Sequence, residues 1–203
     1  MTVRVKICGI TRIEDADAAV AAGADMVGLN FYAPSPRYLT VERALAVREA
    51  VGRRAGVVGV FVNAAREYIE ERRRALGLDL IQFHGDEDES ALAGWPVPVI
   101  RALRIGAGEA RAALATTHAD FLLLDTFHPG LFGGTGRARP LAELAGLDLS
   151  RVFLSGGLTP ENVAEAASLG PYAVDVASGV ESTPGVKDHS KLRSFIENAK
   201  SAR

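Results

Sequence analysis

The chain has 203 residues, of which 48% are hydrophobic, and these numbers fit one large domain with a sizeable core. Its formal net charge of -2 provides no general basic field, which argues against nucleic acid as a partner. A single cysteine excludes an intramolecular disulfide, and the four histidines are scattered without ligand-like spacing, so we expect no metal site. Without a signal-peptide pattern or an apolar run of membrane-spanning length, a cytoplasmic location is expected.

Short apolar runs alternate with helical segments along the whole chain. The runs predict eight strands, at 3–8, 26–31, 56–62, 79–83, 98–103, 120–124, 151–154 and 172–176. After the first strand, Thr11 and Glu14 form a capping-box pattern at the start of a helix. Later candidate N-caps are Thr40, Asn63 and Thr159. Further helices are predicted at 87–93, 109–116, 141–145 and 188–199.

The strands indicate the fold class. They are mostly apolar throughout rather than alternating, as is typical of parallel strands covered on both faces. Eight strand–helix units predict a single (β/α)8 TIM barrel with eight parallel strands, formed by residues 1–203 as one catalytic domain. An open doubly wound sheet is the alternative, but no G-x-G-x-x-G motif follows the first strand.

In a barrel, the carboxyl ends of all strands face one mouth, where active sites lie. Cys8 ends the first strand, His84 follows the fourth, and Asp125 ends the sixth. A closed barrel also makes the first and eighth strands neighbours, which predicts an ion pair between Lys6 and Asp175.

Two glycine-containing turns follow the seventh and eighth strands. The first contains Gly156 and Gly157, and the second contains Ser178 and Gly179. Glycine lets backbone N–H groups approach an anion closely, and the loops after these two strands often bind phosphate in barrels. Either turn alone reads as a tight turn, but the two together favour a phosphate group.

Cys8 and Asp125 are candidates for acid–base chemistry. Most lone cysteines are small buried hydrophobes, but Lys6, on the same strand face, could favour the thiolate of Cys8. Asp125 closes an apolar run, so partial desolvation could make it a general acid, although a turn cap or a buried ion pair is equally consistent.

For two further residues of the mouth, the sequence allows both a binding role and a structural role. Arg37, in a loop rigidified by prolines, has the fork geometry for a carboxylate but also reads as a surface arginine. His84 is either a site residue or a core histidine bonded to backbone.

With these residues laid out, the chain resembles the phosphoribosylanthranilate isomerase family of tryptophan biosynthesis. The matching motifs span nearly the whole chain in order: Val5-Lys-Ile-Cys-Gly9, Ser35-Pro-Arg-Tyr38, Ile81-Gln-Phe-His-Gly85, Leu123-Leu-Asp-Thr126, Gly133-Gly-Thr-Gly136, Leu154-Ser-Gly-Gly-Leu158, Ser178-Gly-Val-Glu181 and Pro184-Gly-Val-Lys-Asp188. The combination of the first-strand cysteine with Leu-Asp-Thr on the sixth strand is the most specific match.

The resemblance implies an Amadori rearrangement of N-(5-phosphoribosyl)anthranilate. It makes Asp125 the general acid and Cys8 the general base. Arg37 would hold the anthranilate carboxylate, and the two glycine turns would hold the phosphate. His84 and Asp175 are the remaining candidate substrate contacts. The resemblance implies no metal or organic cofactor, and the enzyme would be a monomer or homodimer.

One segment departs from the family pattern. After Gly136 the family often continues with Phe-Asp-Trp, whereas this chain has Arg137-Ala-Arg-Pro-Leu141, which puts the packing of that loop in doubt.

Two alternative functions remain open. The related isomerase of histidine biosynthesis is one, but that family has an aspartate where Cys8 stands. The other is a barrel that binds a sugar phosphate without catalysis.

Overall fold

Eight parallel strands close into a barrel in chain order, with β1 paired to both β2 and β8. The computed structural model describes residues 2–103, 107–125, 144 and 146–202. The strands are β1 Arg4–Cys8, β2 Met26–Asn30, β3 Gly56–Phe61, β4 Leu80–Phe83, β5 Val99–Leu103, β6 Phe121–Asp125, β7 Val152–Ser155 and β8 Ala173–Val176. The (β/α)8 prediction is therefore confirmed and the open sheet is wrong; a single domain over 1–203 stays a prediction.

Helices follow most of the strands and cover the outside of the barrel. They are α1 Ile13–Ala21, α2 Val41–Val51, α3 Arg66–Leu76, α4 Ala107–Thr116, α5 Val163–Ser168 and α6 His189–Ser201. Among the described residues, 3-10 helices also span Glu89–Leu92 and Ser178–Val180. Within the described residues, no helix has the length and apolar character to cross a membrane. Of the helix predicted at 141–145 only residue 144 is described, and the motif Gly133–Gly136 lies outside the described residues.

Three of the predicted helix starts are wrong, and one is confirmed. Thr40 caps α2 by accepting a hydrogen bond from the Arg43 amide. Thr11 is not a cap: α1 begins two residues later, and the Thr11 hydroxyl instead donates to the Gly185 carbonyl. Asn63 has a left-handed φ of 48°, so the chain turns there and α3 starts only at Arg66.

Thr159 also precedes its helix by a full turn. Its carbonyl accepts from the amides of Asn162 and Val163, and α5 begins at Val163. The helix predicted at 87–93 is also shorter than expected: it is a 3-10 turn over Glu89–Leu92, with Asp88 as its cap. In each case a local turn satisfies the backbone before the regular helix begins.

The core has two layers, one inside the barrel and one between the strands and the helices. The inner layer includes Met26, Val58, Ile100, Leu123 and Phe153. The outer layer includes Ile7, Val27, Val57, Ile81, Leu122 and Leu154 together with the inner faces of the helices. Since successive side chains of a strand point to opposite faces, the same alternation places the last inward-facing residue of each strand at the mouth.

A short antiparallel hairpin follows β8 and was not predicted from the sequence. Its strands are β9 Glu181–Thr183 and β10 Val186–Lys187. The hairpin carries Glu181 and Lys187 back toward the end of β1, next to the mouth of the barrel.

Candidate active site

A cavity of about 660 Å³ lies at the carboxyl ends of the strands. All nine candidate site residues line it: Cys8, Arg37, His84, Asp125, Gly156, Gly157, Asp175, Ser178 and Gly179. The ends of the strands therefore bring together residues that are far apart in the sequence, as predicted. What each residue contributes follows from its own contacts.

Cys8 is a free, half-buried thiol at the end of β1, with a buried ammonium group beside it. A Cβ on Gly28 would lie 2.9 Å from Cys8 Sγ and 3.3 Å from Lys6 Nζ, so both groups pack against this glycine. Burial lowers the pKa of Lys6, but Asp175 and then Cys8 raise it, and the net pKa is above its usual range. The lysine therefore stays charged next to the sulfur.

The predicted pair between Lys6 and Asp175 is confirmed. Lys6 Nζ lies 2.6 Å from Asp175 Oδ1; both side chains are buried, and Asp175 lines the cavity. The Ser155 hydroxyl donates to the other carboxylate oxygen at 3.0 Å. Both oxygens of Asp175 thus already accept from the protein, and its direct contact with a substrate stays a prediction.

Asp125 ends β6, in register with Ser155 of β7. In the closed ring of eight strands β6 lies three positions from β1, so Asp125 and Cys8 face the cavity from well-separated parts of its rim. A ligand between them would be reached by a carboxyl group from one side and a thiol from another.

Arg37 is held in place by a carboxylate. Its Nε and Nη2 donate to the two oxygens of Glu181 at 2.8 and 2.6 Å. This pairing raises the pKa of Arg37, with hydrogen bonding to Glu181 as the largest cause. A side chain at Gly9 would collide with the Arg37 stem, so the glycine makes room for it.

Lys187 ties three parts of the mouth together. Its buried Nζ donates to the carbonyl of Cys8 at 2.7 Å, the carbonyl of Ala177 at 3.0 Å and Glu181 Oε1 at 2.9 Å. Burial lowers the pKa of Lys187, and Glu181 partly offsets that. Sequence reasoning missed the roles of Glu181 and Lys187; the only signal was their place in the charged motifs after the eighth strand.

The two predicted phosphate turns contact one another. Gly156 and Gly157 have φ values of 90° and 67°, a conformation that glycine adopts without steric cost. A Cβ on Gly179 would collide with the carbonyl of Leu158, so the turns approach too closely for any side chain there. The Asn162 side chain fixes the first turn by donating to the Gly157 carbonyl at 3.0 Å.

Gln82 is a polar residue of the floor that sequence reasoning also missed. It lies on β4 two residues before His84, and its side-chain nitrogen is 3.0 Å from His84 Nδ1. Its apolar neighbours in the sequence made it read as part of a packed strand. Elsewhere among residues 2–103, 107–125 and 146–202, no group of three His, Cys, Asp or Glu side chains could hold a metal ion.

The comparisons with known proteins agree with this geometry. A family model described as "N-(5'phosphoribosyl)anthranilate (PRA) isomerase" matches residues 5–198. The chain is similar to the N-(5'-phosphoribosyl)anthranilate isomerase of Pseudomonas fluorescens (strain Pf0-1), with 52% identity over 96% of this chain and 97% of the relative.

Solved structures give the same result. The phosphoribosyl anthranilate isomerase of Thermotoga maritima superposes with a TM-score of 0.88 at 38% identity, over 98% of each chain. A second phosphoribosyl anthranilate isomerase structure is described as a complex with reduced 1-(o-carboxyphenylamino)-1-deoxyribulose 5-phosphate. It has a TM-score of 0.83 and 38% identity, again over 98% of each chain. The resemblance predicted from the motifs is confirmed: the chain belongs to the N-(5'-phosphoribosyl)anthranilate isomerase family.

Proposed function

We propose that Cys8 and Asp125 are the base and the acid with which this barrel isomerises N-(5-phosphoribosyl)anthranilate. The product is 1-(2-carboxyphenylamino)-1-deoxyribulose 5-phosphate, and the reaction is an Amadori rearrangement in tryptophan biosynthesis. The observation that carries the proposal is that a thiol beside a buried ammonium and a carboxyl on another strand face one cavity. That cavity also contains the two glycine turns and Arg37.

The chemistry needs one proton delivered and one removed. Asp125 protonates the ring oxygen of the ribose, the C1–O bond breaks, and the anilino nitrogen supplies the electron pair that forms the iminium ion. Cys8, as a thiolate, then removes the proton from C2. The electron pair of the broken C2–H bond forms a C1=C2 double bond, and the π pair of the iminium group returns to its nitrogen. The resulting enol gives the ketone by tautomerisation, so C1 is reduced and C2 oxidised within one molecule.

Lys6 supports the basic form of Cys8. A thiolate needs a nearby cation to hold its charge, and the Lys6 ammonium packs with the sulfur against Gly28. Asp175 compensates the lysine charge in the floor. The pair is therefore neutral as a whole while its positive end lies beside the sulfur.

The two charged ends of the substrate would be bound at different parts of the rim. The phosphate would lie on the turns of Gly156, Gly157, Ser178 and Gly179, where backbone N–H groups can donate to its oxygens. The anthranilate carboxylate would lie at Arg37, the cationic side chain that Glu181 orients. His84 is proposed as a further substrate contact.

The decisive assay is the loss of substrate fluorescence after mixing the pure protein with freshly made phosphoribosylanthranilate. Turnover is expected. No turnover at micromolar enzyme would contradict the isomerase and favour the barrel that only binds a sugar phosphate. Cys8 disfavours the histidine-pathway isomerase, whose family has an aspartate at that position. We also propose that the protein acts in the cytoplasm as a monomer or homodimer and binds no nucleic acid.

A further inference from the structure

Gln82 lines the cavity and carries a buried side-chain acceptor that has no partner among the described residues. It lies on β4, in register with Val60 of β3 and Ile100 of β5, and its side chain lines the cavity with that of His84. The residue is only 1% exposed. Its Oε1 atom is fully buried and accepts no hydrogen bond from the part of the chain that the structure describes. Because buried polar atoms are nearly always paired, an orphaned acceptor at a cavity points to a ligand.

The other end of the amide explains why the oxygen is the atom presented. The Gln82 nitrogen is 3.0 Å from His84 Nδ1, and an amide nitrogen can only donate there. With the nitrogen facing His84, the amide oxygen is the atom that has no partner among the described residues.

The chemistry of the substrate restricts what this oxygen can bind. Phosphate and carboxylate groups are acceptors, so neither can donate to it. The anilino N–H of an ortho-aminobenzoate is adjacent to its own carboxylate, which satisfies it internally. The remaining donors are the hydroxyl groups of the ribose.

The position of Gln82 agrees with a neutral partner. The proposed phosphate turns follow β7 and β8, and Arg37 follows β2, so the charged ends of the substrate are bound away from β4. The charge of Asp175, which lines the cavity, is neutralised by the buried Lys6. A sugar held between Cys8 and Asp125 would therefore meet an uncharged acceptor on β4.

We propose that Gln82 Oε1 accepts a hydrogen bond from a hydroxyl group of the ribose, and that Gln82 selects for a hydroxylated sugar. The proposal rests on the proposed function, since it assumes a phosphoribosyl substrate. Gln82 is then a specificity-determining residue, and His84 positions it.

The test uses stable ligands made by reductive amination of anthranilate with ribose 5-phosphate, 2-deoxyribose 5-phosphate or 3-deoxyribose 5-phosphate. Their inhibition constants are measured for the wild-type protein, for Gln82→Met, which keeps the size but loses the acceptor, and for Gln82→Glu, which keeps an acceptor. Val60→Ala is the matched control, because it alters the same floor without changing a polar group.

At least one deoxy ligand should bind the wild-type protein about tenfold or more weakly than the ribose ligand. In Gln82→Met the ribose ligand should weaken similarly while that deoxy ligand changes little, and Gln82→Glu should retain a preference for the hydroxyl. Val60→Ala should shift all three ligands by the same factor. Equal losses for the three ligands in Gln82→Met, or no discrimination by the wild-type protein, would overturn the proposal. Turnover of phosphoribosylanthranilate is measured on the same wild-type sample. If turnover is normal, either of these two results contradicts the role of Gln82 and not the proposed function.

Discussion

The Lys187 ammonium donates a 2.7 Å hydrogen bond to the backbone carbonyl of Cys8. This bond ties the hairpin β9–β10 to the end of β1, next to the proposed catalytic base. The same nitrogen contacts Glu181, which orients Arg37. The position of the base and the orientation of the arginine therefore depend on one buried side chain.

Replacing Lys187 by methionine should destabilise the fold by about 2–4 kcal/mol, because the buried carboxylate of Glu181 keeps Arg37 but loses the second of its two cations. The carbonyls of Cys8 and Ala177 would lose the same donor. Urea unfolding measures the change. The exposed Arg193→Met variant is the control and should stay within about 0.5 kcal/mol of the wild-type protein. Equal small losses in both variants would show that Lys187 does not hold the mouth together.

Glu181→Gln tests how Arg37 is oriented. The amide keeps one acceptor oxygen but places an NH₂ group against a cation, so the two-pronged contact with Arg37 is lost. We expect KM for phosphoribosylanthranilate to rise about tenfold, with a smaller change in kcat. The reason is that Arg37 would contact the anthranilate carboxylate of the substrate and not the reacting atoms. A fall in kcat at unchanged KM would instead place Glu181 in the chemical step.

These residues also show where sequence reasoning ended. The strands, and the place of Cys8 and Asp125 at the mouth, could be predicted because apolar runs are local signals and strand ends share one mouth. The contacts of Lys187 depend on a hairpin of very short strands, and the contact of that hairpin with the end of β1 has no local sequence signature. Gln82 lies inside an apolar run, and only its burial and its orphaned oxygen mark it. The starts of α1, α3 and α5 were misplaced because turns with suitable capping residues precede them.

The catalytic pair is tested by Cys8→Ala and Asp125→Asn. Each should lower kcat by about 10²–10⁴-fold with substrate binding retained, because each removes one proton-transfer group and leaves the phosphate and carboxylate contacts in place. Binding is measured with the stable ribose-derived amine described above. A near-normal rate would remove that residue from its role. A covalent adduct between Cys8 and the substrate, detected by mass spectrometry, would make the thiol a nucleophile rather than a base.

The stability of the fold should decrease in acid because of two buried carboxylates. Burial raises the pKa of Asp15, but hydrogen bonds from Arg12, the Lys187 amide and His189 bring it below 3.8. Burial likewise raises the pKa of Glu181, and Arg37 and Lys187 bring it below 4.5. Both folded-state values are depressed, so this stabilisation is complete above the unfolded pKa values and is lost as the pH falls through the folded ones.

The measurement is the free energy of urea unfolding at about pH 6 and at about pH 3.5. The wild-type protein should lose stability between these values. Asp15→Asn should be less stable at the higher pH, because the buried acceptor of the Arg12 and His189 contacts is altered, and its pH dependence should be shallower. An unchanged slope in this variant would show that Asp15 does not contribute to the acid sensitivity.

Gly179→Ala tests whether phosphate binding needs the close contact between the turn after β8 and the turn after β7. A Cβ at this position collides with the carbonyl of Leu158, so the turn after β8 must move away from the turn after β7. We expect a rise of about tenfold or more in both KM and the inhibition constant of ribose 5-phosphate, because the proposed phosphate contacts come from these two turns. Gly170→Ala is the control: Gly170 has a φ of 72° and no heavy atom near its added Cβ, so it should cost about 1 kcal/mol of stability and leave KM unchanged. If the two variants raise KM equally, the phosphate is not held where the two turns meet.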